Sequence, residues 1–456
     1  MLAAYIVQAE NIKSFADVFT KYTGDKLPEL CSPQLLFQKY IELESELLGQ
    51  LKEKNGLDVF NNIELPLVPA LYEMEKNGIL IDANILSQQS QELGKDLEEL
   101  EKAIFDLSGE SFNISSPKQL GVILFEKLGL PTSKKTKTGY STNSDVLMGL
   151  RNQHPICDLI LQYREDSKLK STYVDALPKL INPETGRVHT QFRQAVTTTG
   201  RLSSVNPNLQ NIPVRTEKGR MIRKAFVTDE GYEFLSADYS QIELRVLAHI
   251  TNDPGLLKAF ELDLDVHAMT ASEIYNVKLE DVTTEQRRNA KAVNFGIAYG
   301  QGAYGLAESL GISRSEGKEI IDTYFKKFKK VREYIESTTE KAKADGYVEM
   351  LSGRRRYIHE FESKMPAIRK FGERAAINAP MQGTASDIVK LAMIEAYKSI
   401  ESRMLLQVHD ELIFSCHESI VDDELKDIVS IMENCFSLKV PLKVNASTGK
   451  NWDEAH

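Results

Sequence analysis

Two short apolar runs, far apart in the chain, each end in an aspartate. Residues Tyr232-Glu233-Phe234-Leu235-Ser236-Ala237 read as a strand and lead into Asp238, after which residues 241–250 switch to helical spacing. Arg403-Met404-Leu405-Leu406-Gln407-Val408 leads into His409-Asp410, and Glu411-Leu412-Ile413-Phe414-Ser415 follows at once. That second pattern is a β-hairpin with His-Asp at its tip. Hard divalent cations such as Mg²⁺ take carboxylate and carbonyl oxygens. Asp238 and Asp410, with Glu411 adjacent and the Tyr239 carbonyl nearby, therefore form a candidate cation site. One aspartate after a strand is more often a turn or a helix cap, so a third element is needed.

That element lies between them. Arg287, Lys291, Phe295 and Tyr299 follow one another at steps of four, which drift only about 40° per step around a helix. One helix face thus presents two cations and then two aromatic rings. Cations hold a polyphosphate, and rings hold a base and sugar by stacking. The plainer alternative is an amphipathic helix whose cations snorkel over a half-buried aromatic stripe. Gly296 and Gly300 interrupt the same segment, so helix stability was not its only criterion.

Composition bounds the rest. The chain has 456 residues, 42% hydrophobic, enough for two to four units at about 100–200 residues each. No run of about 18 apolar residues suggests a membrane span, and residues 1–10 lack the basic start of a secretory signal. Cys31, Cys157, Cys416 and Cys435 form no Cys-x-x-Cys pair, which argues against structural zinc and a disulfide framework. A soluble, cytoplasmic protein without a membrane partner is expected. The net charge of −10 argues against a nucleic-acid partner when averaged over the chain. The charge is uneven, however. Residues 1–110 hold 20 Asp/Glu and 9 Lys/Arg, whereas residues 131–225 hold 16 Lys/Arg and 7 Asp/Glu. The second window reads as an anion-binding surface.

Local signals are fewer elsewhere. Residues 1–60 read as helical and polar, with nothing chemical in them. Leu86, Leu93, Leu97, Leu100 and Ile104 mark a long amphipathic helix over residues 84–106, whose charge run at 96–101 reads as a solvated face. Ser115-Ser116-Pro117 reads as a helix start. The basic stretch Lys134-Lys135-Thr136-Lys137-Thr138-Gly139 is either a flexible surface loop or a phosphate contact.

Three long runs carry a family resemblance. Asp238-Tyr239-Ser240-Gln241-Ile242-Glu243-Leu244-Arg245 resembles motif A of the family A DNA polymerases of the bacterial DNA polymerase I type. Arg287-Arg288-Asn289-Ala290-Lys291-Ala292-Val293-Asn294-Phe295-Gly296-Ile297-Ala298-Tyr299-Gly300 resembles motif B, and Gln407-Val408-His409-Asp410-Glu411-Leu412 motif C. Lys168-Leu169-Lys170-Ser171-Thr172-Tyr173, Thr199-Gly200-Arg201-Leu202-Ser203-Ser204, Pro207-Asn208-Leu209-Gln210-Asn211-Ile212-Pro213 and Gln382-Gly383-Thr384-Ala385-Ser386-Asp387 stand in the same order as in that family.

The resemblance implies an α+β fold of right-hand polymerase architecture, with an antiparallel-sheet palm and mainly helical thumb and fingers. It implies a short helical N-terminal remnant or extension at 1–64, a thumb at 65–190, palm at 191–250 and 376–456, and fingers at 251–375. It implies a DNA-directed DNA polymerase, a monomer, that extends a primer 3′-hydroxyl on primer-template DNA with dNTPs. The cofactor would be two Mg²⁺ ions, with Mn²⁺ as a substitute, on Asp238 and Asp410 with Tyr239 and Glu411. Gln241, Glu243, His267, Arg287, Lys291, Phe295 and Tyr299 would hold the nucleotide, and Lys291 would also protonate the leaving group. Glu243 with Tyr299 would exclude a ribose 2′-hydroxyl. Lys168, Lys170, Ser171, Arg201, Asn208, Gln210, Arg374, Asn378, Gln382 and His409 would line the DNA. His267 also has a plain structural alternative, because it sits in sequence near no other cluster. Neither a 3′–5′ nor a 5′–3′ exonuclease is expected, since only about 60 residues precede the thumb. A two-metal nuclease, a non-catalytic DNA-binding relative and a single-subunit RNA polymerase are the rival readings; the motif B face argues against the first, the presence of both Asp238 and Asp410 against the second, and Glu243 against the third.

Overall fold

The structure, a computed structural model, describes all residues except 9–13, 25, 27–31, 133, 134, 137, 138 and 215, and the side chains of 135 and 136. Cys31 and most of the basic stretch at 134–139 lie outside the described residues. Cys157, Cys416 and Cys435 are free thiols. Among the described residues, no helix is long and apolar enough to cross a membrane. The fold is α+β, mostly helical with small antiparallel sheets, and forms two compact units.

The first unit comprises Met1–Asn77, Gln191–Gln210 and Leu235–Ser447. Its sheet has the strand order Arg403–Val408, Glu411–His417, Tyr232–Tyr239, Val444–Gly449. The first two strands pair antiparallel with Val408 opposite Glu411, which leaves His409 and Asp410 as the turn. His409 takes φ 57°, a left-handed conformation that two-residue hairpin turns favour. Both hairpin strands are buried almost throughout, which explains their consecutive apolar runs Met404-Leu405-Leu406 and Leu412-Ile413-Phe414. The 34-residue helix Pro366–Ser399 packs against the helices Leu65–Asn77, Ile242–Thr251 and Val421–Asn434. It runs unbroken through position 375, the expected junction of fingers and palm. Helices Val266–Tyr275 and Thr284–Ala298 pack on each other.

The N-terminal helices Leu2–Gln8, Phe15–Thr23 and Pro33–Glu53 agree with the helical reading but not with the polar one. Ala4, Val18, Phe19, Leu43 and Leu47 form a small core, and Tyr5, Ile6, Val7 and Leu51 join Val59 in another. Leu43, Leu47 and Leu51 stand four apart, so one apolar stripe hides in a helix that is polar on average.

The second unit comprises Gly78–Thr190, Asn211–Phe234 and Thr448–His456. Ile79–Ile81 is the middle strand of a small antiparallel sheet between Arg187–Val188 and Phe226–Val227. The amphipathic helix spans Ala83–Ser108, capped by the Asp82 side chain and ended by Gly109 at φ 74°, and it packs on Ile156–Leu169. Ser116 caps the helix at Pro117 as its sequence suggests. Trp452 is fully buried, edge-on to Phe226 and beneath the Arg223 guanidinium at 4.2 Å.

Part of the positive window turns out to be neutralised internally. Lys218 bridges Asp96 at 2.5 Å and Asp166 at 2.8 Å, and Arg187 pairs with Asp229. Asp96 is therefore more than a member of a solvated run, whereas Glu98 and Glu99 are exposed as expected. Counting charges along a segment cannot reveal carboxylates that the fold delivers from outside it.

Candidate active site

Asp238 is the penultimate residue of the strand Tyr232–Tyr239, and Asp410 sits beside it in the hairpin turn. The Tyr239 N–H donates to the Asp410 carbonyl at 3.2 Å. The two carboxylates lie close enough to feel each other's charge. Burial pushes the Asp410 carboxyl up to about 7; Arg201 draws it down, while Glu243 and Asp238 raise it. Glu411, the other acidic residue expected here, is buried and accepts from the Ser236 hydroxyl at 2.6 Å. Among the described residues, no three His, Cys, Asp or Glu side chains converge into a ready cation cage. The two aspartates thus offer carboxylate oxygens in a place with excess negative charge. That set fits a hard divalent cation that shares its remaining positions with other ligands.

Glu243 joins this pair to the helix of cations and rings. It lies in the first turn of Ile242–Thr251 and is only 7% exposed. Its carboxylate accepts from Arg201 Nη2 at 2.5 Å and from the Tyr299 hydroxyl. Burial and the Glu243 charge push the Tyr299 phenol well above its ordinary value. Tyr299 caps the C-terminus of the helix Thr284–Ala298, which starts with a capping box between Thr283 and Gln286. Its ring lies 6.0 Å from that of Phe295. Arg287 Nε donates to Asp265 at 2.5 Å, and Lys291 is exposed. Gly300 has a local reason, φ 70° beside Ile377 and Arg374, whereas a Cβ at Gly296 would meet only the movable end of the Gln301 side chain.

His267, expected with the nucleotide-holding residues, packs against the motif B helix. It is buried, its Nδ1 lies 2.9 Å from Asn294 Nδ2, and its ring is 5.8 Å from that of Phe295. Burial lowers it to about 4; Asp265 opposes the shift, and Arg287 and Lys291 add to it. Helix packing brings it to the motif B helix, a proximity that sequence distance concealed.

The remaining expected residues divide by surroundings. Gln210 Nε2 donates to Gln407 Oε1 at 2.9 Å, and Asn208 and His409 are exposed. Arg374, Asn378 and Gln382 follow at steps of four on Pro366–Ser399; Arg374 is exposed, and Gln382 bonds to Tyr299. Among the described residues, Gln241 Oε1 and Asn378 Oδ1 are buried acceptors without a partner, which polar ligands commonly satisfy. In the second unit, Lys168 and Ser171 line a cleft with Lys118, Asn143 and Arg164. Lys170 is instead bonded to Asp175 at 2.8 Å and Ser90 at 2.7 Å. The sequence reading gave no role to Ser236 or Gln407, and none to the buried set Glu64, Arg354, Asp387 and Lys390. Of these, Gln407 and Asp387 lay within the family-like runs.

Asp238 and Asp410 thus stand near Glu243, which is bonded to Tyr299 at the end of a helix whose face carries two cations and two aromatic rings. The chain belongs to DNA polymerase family A, whose model matches residues 83–454. It is 53% identical over 405 residues to DNA polymerase I of Pseudomonas aeruginosa, covering 87% of this chain and 44% of the relative. It is 45% identical over 464 residues to DNA polymerase I of Caldicellulosiruptor bescii, covering 100% and 54%. The chain thus spans about half the length of these relatives. Among solved structures it is similar to the POL domain of Pol1 from M. smegmatis in complex with DNA primer-template and dNTP. That likeness has a TM-score of 0.94 at 42% identity and covers 100% of this chain and 82% of the other.

Proposed function

We propose that this chain is a template-directed DNA polymerase that extends a primer 3′-hydroxyl with dNTPs and releases pyrophosphate. The observation that carries this reading is Glu243, which links Arg201 and the Asp410 environment to Tyr299 at the end of the motif B helix. A nuclease needs the carboxylates but not a helix of cations and rings. Family membership and the primer-template and dNTP bound to the M. smegmatis relative support the same reading.

Asp238 and Asp410, with the Tyr239 carbonyl, would hold magnesium or manganese, which supplies the charge that ionises the primer hydroxyl and neutralises the leaving pyrophosphate. Arg287 exchanges Asp265 for a phosphate oxygen, and Lys291, already exposed, gives the leaving group a proton. Phe295 stacks on the incoming base. Gln241 and Asn378 offer unpaired acceptors that bound ligands can satisfy. Gln210, Asn208, Gln382, Arg374 and His409 supply polar contacts to the duplex, where minor-groove acceptors are shared by all correct pairs. Lys168 and Ser171 hold backbone phosphates without sequence preference. Lys170 does so only by loosening its bond to Asp175. The thumb, palm and fingers limits given above, a cytoplasmic monomer and synthesis without nuclease activity belong to the same proposal.

Primer extension with Mg²⁺ and four dNTPs tests it. The expected result is templated extension that falls at least about a thousandfold in Asp410→Ala, a loss of roughly 4 kcal/mol of transition-state stabilisation. Shortening of the primer, or binding without extension, contradicts the reading.

A further inference from the structure

Four charged side chains lie buried together in the first unit. Glu64, Arg354, Asp387 and Lys390 are each no more than 3% exposed. Lys390 Nζ donates to Glu64 Oε1 at 2.6 Å, and Arg354 donates to Glu64 and, through Nη2 at 2.7 Å, to Asp387. Burying such ions costs several kcal/mol each, and well-packed apolar groups often give equal stability. Fold stability alone is therefore a weak explanation for four of them.

Their contacts suggest another. The segment 194–201 is fastened to this cluster along its length. Gln194 Nε2 donates to Glu64 Oε2 at 2.7 Å and to the Glu64 carbonyl at 2.9 Å. Gly200, at φ 83°, lies on the Arg354 side chain; a Cβ there would meet Arg354 Nε at 2.9 Å. Between these points the Tyr5 hydroxyl donates to the Thr197 carbonyl at 2.6 Å, and the Thr197 hydroxyl donates to the Arg201 carbonyl at 2.8 Å. The segment ends at the residue whose guanidinium meets Glu243. Lys390 and Arg201 also line one small cavity with Gln407 and Asp410.

We infer that the Glu64–Arg354–Asp387–Lys390 cluster is a positioning device, which holds the 194–201 segment so that Arg201 reaches Glu243 beside Asp410. The four residues touch no reacting atom; they act through Arg201. This inference rests on the polymerase reading above.

Light variants test it without emptying the core. Tyr5→Phe and Gln194→Leu each remove one tie, and Glu64→Gln with Lys390→Met removes one charge of each sign together. Each set is expected to lower the extension rate about tenfold, the scale of a small misplacement. In an Arg201→Ala background the same changes should cost less than about twofold, because coupled residues do not add. The Tm of Tyr5→Phe and Gln194→Leu should stay near that of the parent. Losses that add fully to that of Arg201→Ala, or an Arg201→Ala chain as active as the parent, overturn the inference and leave the polymerase reading intact. A parent chain that extends no primer overturns both.

Discussion

Two ionic clusters lie in the same unit and have opposite electrostatic character. In the first, Glu64 and Asp387 face Arg354 and Lys390, two charges of each sign, all buried. Burial alone would raise the Glu64 carboxyl, yet Lys390 and Arg354 outweigh it and bring Glu64 down to about 2. In the second, Asp238, Asp410 and Glu243 share the single cation Arg201 among the groups acting on Asp410. There burial wins, and Asp410 rises to about 7. A saturated cluster has no remaining affinity and fixes geometry. An under-compensated one stores an electrostatic demand that a cation can answer, which is what a metal-dependent centre requires before its ligands arrive.

The strongest way to break this contrast is to unbalance the saturated cluster. Lys390→Met leaves Glu64 with the Arg354 charge and the neutral Gln194 amide and should cost about 3–5 kcal/mol, the usual penalty for removing one partner of a buried pair. Thermal unfolding measures it. A loss under about 1 kcal/mol would mean that the cluster is open to water and not saturated.

The second cluster should respond in the opposite direction. Between its ordinary value of 3.8 and about 7, the folded chain keeps the Asp410 proton that the unfolded chain has lost. Stability therefore falls as pH rises through that window, and the full cost is present above it. Asp410→Asn should raise the stability of the metal-free protein by on the order of 2 kcal/mol at pH 8. The gain should shrink as pH falls toward 4. A variant less stable than the parent at pH 8 would show that the carboxylate is already compensated.

The two clusters also differ in how well the sequence reveals them. Asp238 and Asp410 are legible because each ends a local pattern, a strand before a helix and a hairpin tip. The face from Arg287 to Tyr299 is legible because a helix fixes its own spacing. Glu64 and Lys390 are separated by 326 positions, and nothing around either announces a buried ion. Their partnership exists only once the helix Pro366–Ser399 has packed against Leu65–Asn77. The same limit hid the partners of Lys170, Asp175 and Ser90, and the contact between His267 and Phe295. Local periodicity is written in the sequence, whereas the partners of a charge are chosen by the fold.

Glu243 is the point at which the under-compensated cluster meets the motif B helix, so its removal sharpens the comparison at the smallest energetic scale. It is buried, and both carboxylate oxygens are engaged, one by Arg201 and one by the Tyr299 hydroxyl. A ribose 2′-hydroxyl entering beside Tyr299 would have to displace that bond or share its space. Glu243→Ala opens the space and frees the phenol, so it should weaken discrimination against ribonucleotides by about tenfold, or roughly 1.4 kcal/mol. The same change removes a negative charge that raises Asp410, and metal-free stability at pH 8 should fall less than burial of Arg201 and Tyr299 alone would cause. Competing dNTP and rNTP incorporation on one template measures the first effect. Unchanged selectivity would leave Glu243 as a strut for Arg201 and Tyr299 and move sugar discrimination to another contact.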